Sequence, residues 1–285
     1  MAIGMMHFLI KRHQNPRLLI FAYVQVVDCC IKVNIKIKMF TPHNCKLSYH
    51  NLIASLYLNF KMLPFRQAIK LPLDVYYGIR FDNLSGKIVL KGKNVHRGMV
   101  KFGAQGSDMF QRKGCILALE GTLTLEGSCV FGCSNTIKIR KSAEVTIGNG
   151  AIFGAENLLY SENEMRFGDD FLSSWKCQFM DSDTHNIVDL LTGDTTVSVK
   201  PVTIGKHCWI GNHVIINKGT HLTDNTIVAS RSLVTKDFTT EGEYCVLAGI
   251  PAKVIQRNKA WAIDKEGLEQ IKNRIHEKEI TPPTK

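Results

Sequence analysis

The chain has 285 residues, 45% hydrophobic and 21% charged, the balance of a soluble globular protein with one large core or two modest domains. Its net charge of +11 is uneven, because residues 1–80 hold eleven Lys and Arg against two acids, Asp28 and Asp74. Nine cysteines without a CxxC pair argue against zinc and thioredoxin-like motifs, and the longest apolar run, Leu18–Val27, is about half of what a bilayer crossing needs.

In chain order, Leu18–Val27 reads as a buried helix or strand, and no small-residue cleavage site follows it as in a signal peptide. Ile31–Lys38 alternates apolar with polar or basic residues, as in a strand with one covered face and lysines that discourage edge pairing. Ser48 is placed to cap a helix over Leu52–Met62, stopped by Pro64, with a second helical piece at Arg66–Lys70 before Pro72. Residues 1–80 are thus a basic α/β cap region. They present either a solvated basic face or a surface attracted to an anionic membrane or a polyanionic glycan.

From about Ile88 onward, short strands alternate with Gly and polar turns. Aliphatic residues then recur every six positions, at Ile204, Ile210, Ile216, Leu222, Val228 and Val234. Four positions after each of the first five stand Cys208, Val214, Thr220, Thr226 and Ser232, all small or β-branched. A period of six belongs to neither a helix nor a plain strand, but a short strand plus a tight turn produces it. Such a unit cannot bury its apolar residue alone, so copies stack into a solenoid. Earlier rungs keep the spacing with slips: Leu119, Leu125, Phe131 and Ile137; then Ile147, Phe153 and Leu159; then Phe167 and Phe179. Glycine directly after an inward residue, as at Gly148, Gly154, Gly168, Gly205 and Gly211, is expected to serve tight corners and positive φ. Between Phe179 and Ser198 the pattern lapses into a polar excursion with four Asp and one His, the place in a regular solenoid where function sits. After the rungs, Glu266–Lys278 sets Leu268, Ile271 and Ile275 on one helix face.

The motifs IGKHCWIGNHVIINKG (204–219), TIVASRSLVTKDF (226–238) and AGIPAKVI (248–255) resemble the hexapeptide-repeat acyltransferases, in particular bacterial sugar and polysaccharide O-acetyltransferases. The resemblance implies a mainly β fold, a left-handed parallel β-helix over residues 81–255. The cap region 1–80 precedes it, and a C-terminal α-helix and tail, 256–285, follow. It further implies a homotrimer with acetyl-CoA and the acceptor bound between neighbouring prisms, no metal and no nucleic acid. The expected location is the cytoplasm, with residues 1–80 as a peripheral contact at the inner membrane face.

Acetyl transfer to a hydroxyl needs a base, since an alcohol is a poor nucleophile at neutral pH. His185 opens the polar excursion in a setting similar to that of the family's catalytic histidine. Asp183 is the candidate carboxylate for its second ring nitrogen, and Asp181 a candidate sugar contact, each with turn formation as the competing reading. Asn157 and Trp175 are further candidate sugar contacts, the plainer reading being a corner amide and a packed aromatic. By motif match the donor side takes Gly211, Ala229, Ser230, Thr235, Lys236 and Lys253, with the two lysines facing the nucleotide phosphates. Arg231 is an extra cation where relatives have a glycine. Asn186 stands after the histidine where many relatives have proline. Trp209 is expected at the subunit interface. His207, His213 and His221 raise a zinc-dependent carbonic anhydrase on the same kind of fold, but each sits in a turn without an acidic neighbour to orient it. The reading is acetyl transfer from acetyl-CoA to a sugar hydroxyl of a surface polysaccharide or its precursor. N-acetylation of an amino sugar nucleotide and a non-catalytic scaffold remain open.

Overall fold

The computed structural model describes residues 50–92, 94–104, 109–110 and 114–276. Leu18–Val27, Ile31–Lys38, Ser48, Cys29, Cys30, Cys45 and the tail beyond residue 276 lie outside them.

Helix α1, Leu52–Met62, forms where expected, with Asn51 as its cap: the Asn51 side chain accepts from the Ala54 amide at 3.0 Å. Pro64 ends it and opens the short α2, Phe65–Ala68, one residue ahead of its predicted start. The rest is a three-sided stack of parallel coils. Face I has nine strands, from Leu73–Val75 to Ala252–Gln256; face II has seven, from Arg80–Asn83 to Leu233–Val234; face III has six, from Lys87–Leu90 to His221–Leu222. The first strand thus precedes residue 81, where the sequence reading begins the β-helix.

Every position of the hexapeptide series points inward. Ile204, Ile210, Ile216, Leu222, Val228 and Val234 are buried, and so are Cys208, Val214, Thr220, Thr226 and Ser232. Paired residues in the last coils, such as Ile204 with Leu222, stand eighteen residues apart. Earlier coils are longer, with strands of up to five residues, which is why the six-residue spacing slips there. The longer coils hold a phenylalanine stack: Phe102 on Phe131 at 5.1 Å, Phe131 on Phe153 at 4.9 Å, with Phe167, Phe171 and Phe179 edge-on below. Each such pair adds about 0.5–1.5 kcal/mol beyond its burial.

The corner glycines act differently from expectation. Gly168 and Gly211 do not adopt positive φ; a Cβ on Gly168 would lie 2.5 Å from the Lys206 amide of the next coil. Glycine is there because successive coils approach too closely for a side chain. The left-handed corner conformation falls two residues later, on Asp170 (φ 53) after Gly168 and on His213 (φ 59) after Gly211, as it does on His207 (φ 50) after Gly205.

Both ends are closed. At the first, α1 stands in for a neighbouring strand: Asn59 donates to the Leu73 carbonyl at 2.7 Å and accepts from its amide at 3.1 Å, and Ser55 Oγ accepts from the Val75 amide at 2.8 Å. At the other, Val246–Gly249 turns back into the antiparallel Ala252–Gln256. The described residues end in α3, Lys265–His276. Among the described residues no helix is long and apolar enough to cross a membrane.

Candidate active site

The polar excursion leaves the stack at the corner between faces II and III. It is an antiparallel arm, with bridges Ser182–Val199 and Val188–Thr195 and amide bonds from Asp183 to the Ser198 carbonyl and from Lys200 to the Asp181 carbonyl. Its tip exposes Leu190 (96%) and Leu191 (97%). His185 sits on its outgoing limb, exposed, beside Thr184 in the left-handed conformation (φ 62). Thr184 Oγ1 lies 2.8 Å from His185 Nδ1, while Nε2 has no hydrogen bond among the described residues.

The predicted carboxylates are placed otherwise. Asp183 is ion-paired with Lys218, which also donates to the Val197 carbonyl at 2.6 Å, so Thr184 rather than Asp183 meets the imidazole. Asp181 is fully buried and accepts from Ser161 Oγ at 2.7 Å and from the amides of Glu162 and Asn163 at 2.8 and 3.0 Å. It knits two coils, with both oxygens engaged and the side chain buried. Burial raises its carboxyl pKa, and the Ser161 hydroxyl and the amides pull the other way.

Asn157 is likewise structural. Its Oδ1 accepts from the buried Cys177 amide at 2.7 Å, and its Nδ2 donates to Ser173 Oγ and to the Ser174 carbonyl at 3.0 and 3.1 Å. With Asn135, whose Oδ1 accepts from the Asn157 amide at 2.7 Å, it forms an internal amide ladder, not a sugar contact. Trp175 is half-buried, its ring 5.7 Å from that of Phe110.

The donor-side residues divide between corners. Gly211, Ala229 and Ser230 lie where face I turns into face II, with Ser230 Oγ donating to Asn212 at 2.5 Å. Thr235 and Lys236 lie at the II–III corner, the one that carries His185, and Lys236 Nζ stands 4.9 Å over the Phe238 ring. Lys253 is in the final strand of face I, exposed. A single chain therefore brings His185 to the same corner as Thr235 and Lys236 but not to that of Gly211, Ala229 and Ser230. His207 stacks on Trp261 at 4.5 Å, its Nε2 3.2 Å from the Trp261 carbonyl, a packing role rather than a ligand one. Among the described residues no group of three or more His, Cys, Asp or Glu is arranged to hold a metal.

The sequence reading passed over Glu162. It occupies the II–III corner one coil before His185, accepting from Tyr160 Oη at 2.6 Å and from Ser182 Oγ at 2.5 Å. Those two bonds, Ser182 first, lower its pKa, with Arg140 and His185 adding to the effect. The Tyr160 phenol is pushed up to about 12, by burial first and then by Glu162. The one signal for Glu162 in the sequence is its distance of one twenty-residue coil from Ser182.

No family model matches the chain. An uncharacterised 24.8 kDa protein from the cps region of Klebsiella pneumoniae is 29% identical over 219 residues, covering 77% of this chain and 93% of the relative. Galactoside O-acetyltransferase of Escherichia coli K12 is 29% identical over 135 residues, 41% of this chain and 65% of that enzyme. Polysialic acid O-acetyltransferase of Escherichia coli O1:K1 is 30% identical over 123 residues, 43% and 39%. The chain spans less than two thirds of the length of either named acetyltransferase. The crystal structure of the polySia specific acetyltransferase NeuO shares the fold, with a TM-score of 0.52 at 20% identity over 71% of this chain and 81% of that one. With its hexapeptide motifs and three-sided coil stack, the chain is similar to the sugar and polysaccharide O-acetyltransferases of hexapeptide-repeat type and shares the fold of one of them.

Proposed function

We propose that the protein transfers an acetyl group from acetyl-CoA to a hydroxyl of a surface polysaccharide sugar or its precursor, with His185 as general base. The observation that carries this reading is the exposed imidazole on the polar arm, its Nδ1 engaged by Thr184 and its Nε2 open. With Nδ1 protonated and donating to Thr184 Oγ1, Nε2 accepts the acceptor hydroxyl's proton as that oxygen attacks the thioester carbon. The tetrahedral intermediate then expels the CoA thiolate, which takes the proton back from Nε2, leaving an acetyl ester and free CoA. Backbone amides of the coils are the donors available to the oxyanion. Lys236 and Lys253, exposed and without an ion pair among the described residues, suit the nucleotide phosphates.

The division of the site between two corners supports a homotrimer in which one subunit's I–II corner meets its neighbour's II–III corner. Outward columns agree with this. From its third strand on, face I carries Val130, Ile152, Leu172, Trp209, Ile227 and Val246 in register, and face II mixes apolar with polar residues, Ile116, Thr136, Leu158, Gln178, Ile215 and Leu233. Face III presents Thr146, Arg166, Thr203 and His221 instead. An apolar column on face I beside a mixed face II and a polar face III suits a closed ring about a threefold axis.

The deciding experiment is acetyl-CoA turnover by wild type and His185→Ala against sugars offering hydroxyl and amine acceptors side by side. Loss of about 10²–10⁴ in the variant on hydroxyl acceptors is expected; persisting turnover refutes the base, and a preference for amines refutes O-acetylation. The basic N-terminal segment serves in this reading as a docking surface for a polyanionic or membrane-linked acceptor. Because α1 and Leu73–Val75 complete the stack, the test deletes residues 1–49 only. Activity on a small sugar should survive and activity on polymer should weaken; equal loss on both refutes the docking role.

A further inference from the structure

We propose that Glu162 is the positioning residue for His185, fixing the limb that carries the imidazole. The proposal rests on His185 being the base.

An unbroken path of hydrogen bonds joins the two. Glu162 Oε2 accepts from Ser182 Oγ at 2.5 Å; Ser182 Oγ accepts from the Thr184 amide at 2.9 Å; Thr184 Oγ1 lies 2.8 Å from His185 Nδ1. Each link acts on geometry. The Ser182–Thr184 bond closes the turn that puts Thr184 at φ 62, and that backbone angle sets where both its hydroxyl and the next residue point. The origin of the path is rigid, because Glu162 belongs to the stack itself. Its amide donates to buried Asp181 and its second oxygen holds the Tyr160 hydroxyl. The limb that carries His185 is thereby tied to the preceding coil through the Glu162 carboxylate, in addition to the Asp183–Lys218 pair.

Charge points the same way. Of the groups around the imidazole, Asp183 is neutralised by Lys218, and Asp181 is buried among three donors. Arg140, from the coil before Glu162, is paired with Glu120 at 2.8 Å. Glu162 is the remaining carboxylate held in its charged form, and a charged His185 lowers its pKa further. In this arrangement Glu162 acts through Ser182 and Thr184.

The test is a double-mutant cycle in steady-state kinetics, using acetyl-CoA and a sugar that wild type turns over. Glu162→Gln should lower kcat by roughly tenfold to a hundredfold with the KM of both substrates unchanged, and Glu162→Asp should recover part of the loss. In the His185→Ala background the same substitution should have no further effect, because a positioning residue has nothing left to position. Proportional loss in both backgrounds, or an unchanged kcat in Glu162→Gln, overturns the proposal and leaves the base intact. Undiminished turnover in His185→Ala overturns the base and this role with it. Should Glu162→Gln fail to fold, Ser182→Ala cuts the same path from its other end; an unchanged kcat there overturns the proposal equally.

Discussion

Replacing Asn157 with alanine separates a structural amide from a sugar contact. Asn157 is 3% exposed, and its side chain satisfies the Cys177 amide, the Ser174 carbonyl and the Ser173 hydroxyl of the next coil. The Ser173 hydroxyl can rotate to another partner, but the two backbone groups cannot. A buried polar group left unsatisfied costs about 1–3 kcal/mol, so two of them cost about 2–6 kcal/mol. For a domain of this size each kcal/mol moves the melting temperature by about 2–4 °C, which makes the expected drop roughly 5–20 °C. Differential scanning fluorimetry reads the shift, and steady-state kinetics well below the transition reads the KM for the acceptor. The drop should come with an unchanged KM. A melting temperature like that of wild type together with a raised acceptor KM would mean that Asn157 faces the sugar, and the amide ladder would be the wrong account.

Gly168→Ala tests coil spacing: its Cβ would stand 2.5 Å from the Lys206 amide, so overpacking of about 1–3 kcal/mol should lower the melting temperature although φ is ordinary for alanine. Acid stability follows from Glu162, whose pKa is lowered in the fold by Ser182 and Tyr160. Its stabilisation is complete above the ordinary carboxylate range and disappears as pH falls through the lowered folded value, so the gap in melting temperature between wild type and Glu162→Gln should close on acidification. A gap that stays constant to low pH contradicts the sign. The thiols of Cys115 and Cys208 are pushed up to about 12 and that of Cys177 to about 11, each by burial first. Alkylation of native protein near pH 8, read by peptide mass spectrometry, should leave these three unlabelled until the chain is unfolded.

The fold was legible because a solenoid is locally encoded. Each six-residue unit states its own inward residue, so Ile204 through Val234 could be assigned without knowing any distant contact. The site was less legible for the opposite reason. Whether Asp183 meets His185 or Lys218, and whether Asp181 faces outward or knits Ser161 to Asn163, depends on how coils of unequal length align. That register is set by the slips in the pattern, which carry no motif. Glu162 was missed on the same ground, since its partner Ser182 is a neighbour only across coils. The corner glycines show a subtler failure. Sequence pairs Gly with positive φ, but here the demand at Gly168 and Gly211 comes from the neighbouring coil, and Asp170 and His213 take the left-handed angle instead.

A stack of parallel coils has no intrinsic length; any exposed rung is a template for the next, in this chain or another. Asn59 and Ser55 convert that open series into a finite object by presenting a strand's hydrogen bonds from a helix, which no further strand can copy. The first helix is in this sense a terminator of assembly along the stack axis. It occupies the hydrogen-bonding edge of the Leu73–Val75 rung, so that this sheet cannot be lengthened there by a strand from another copy.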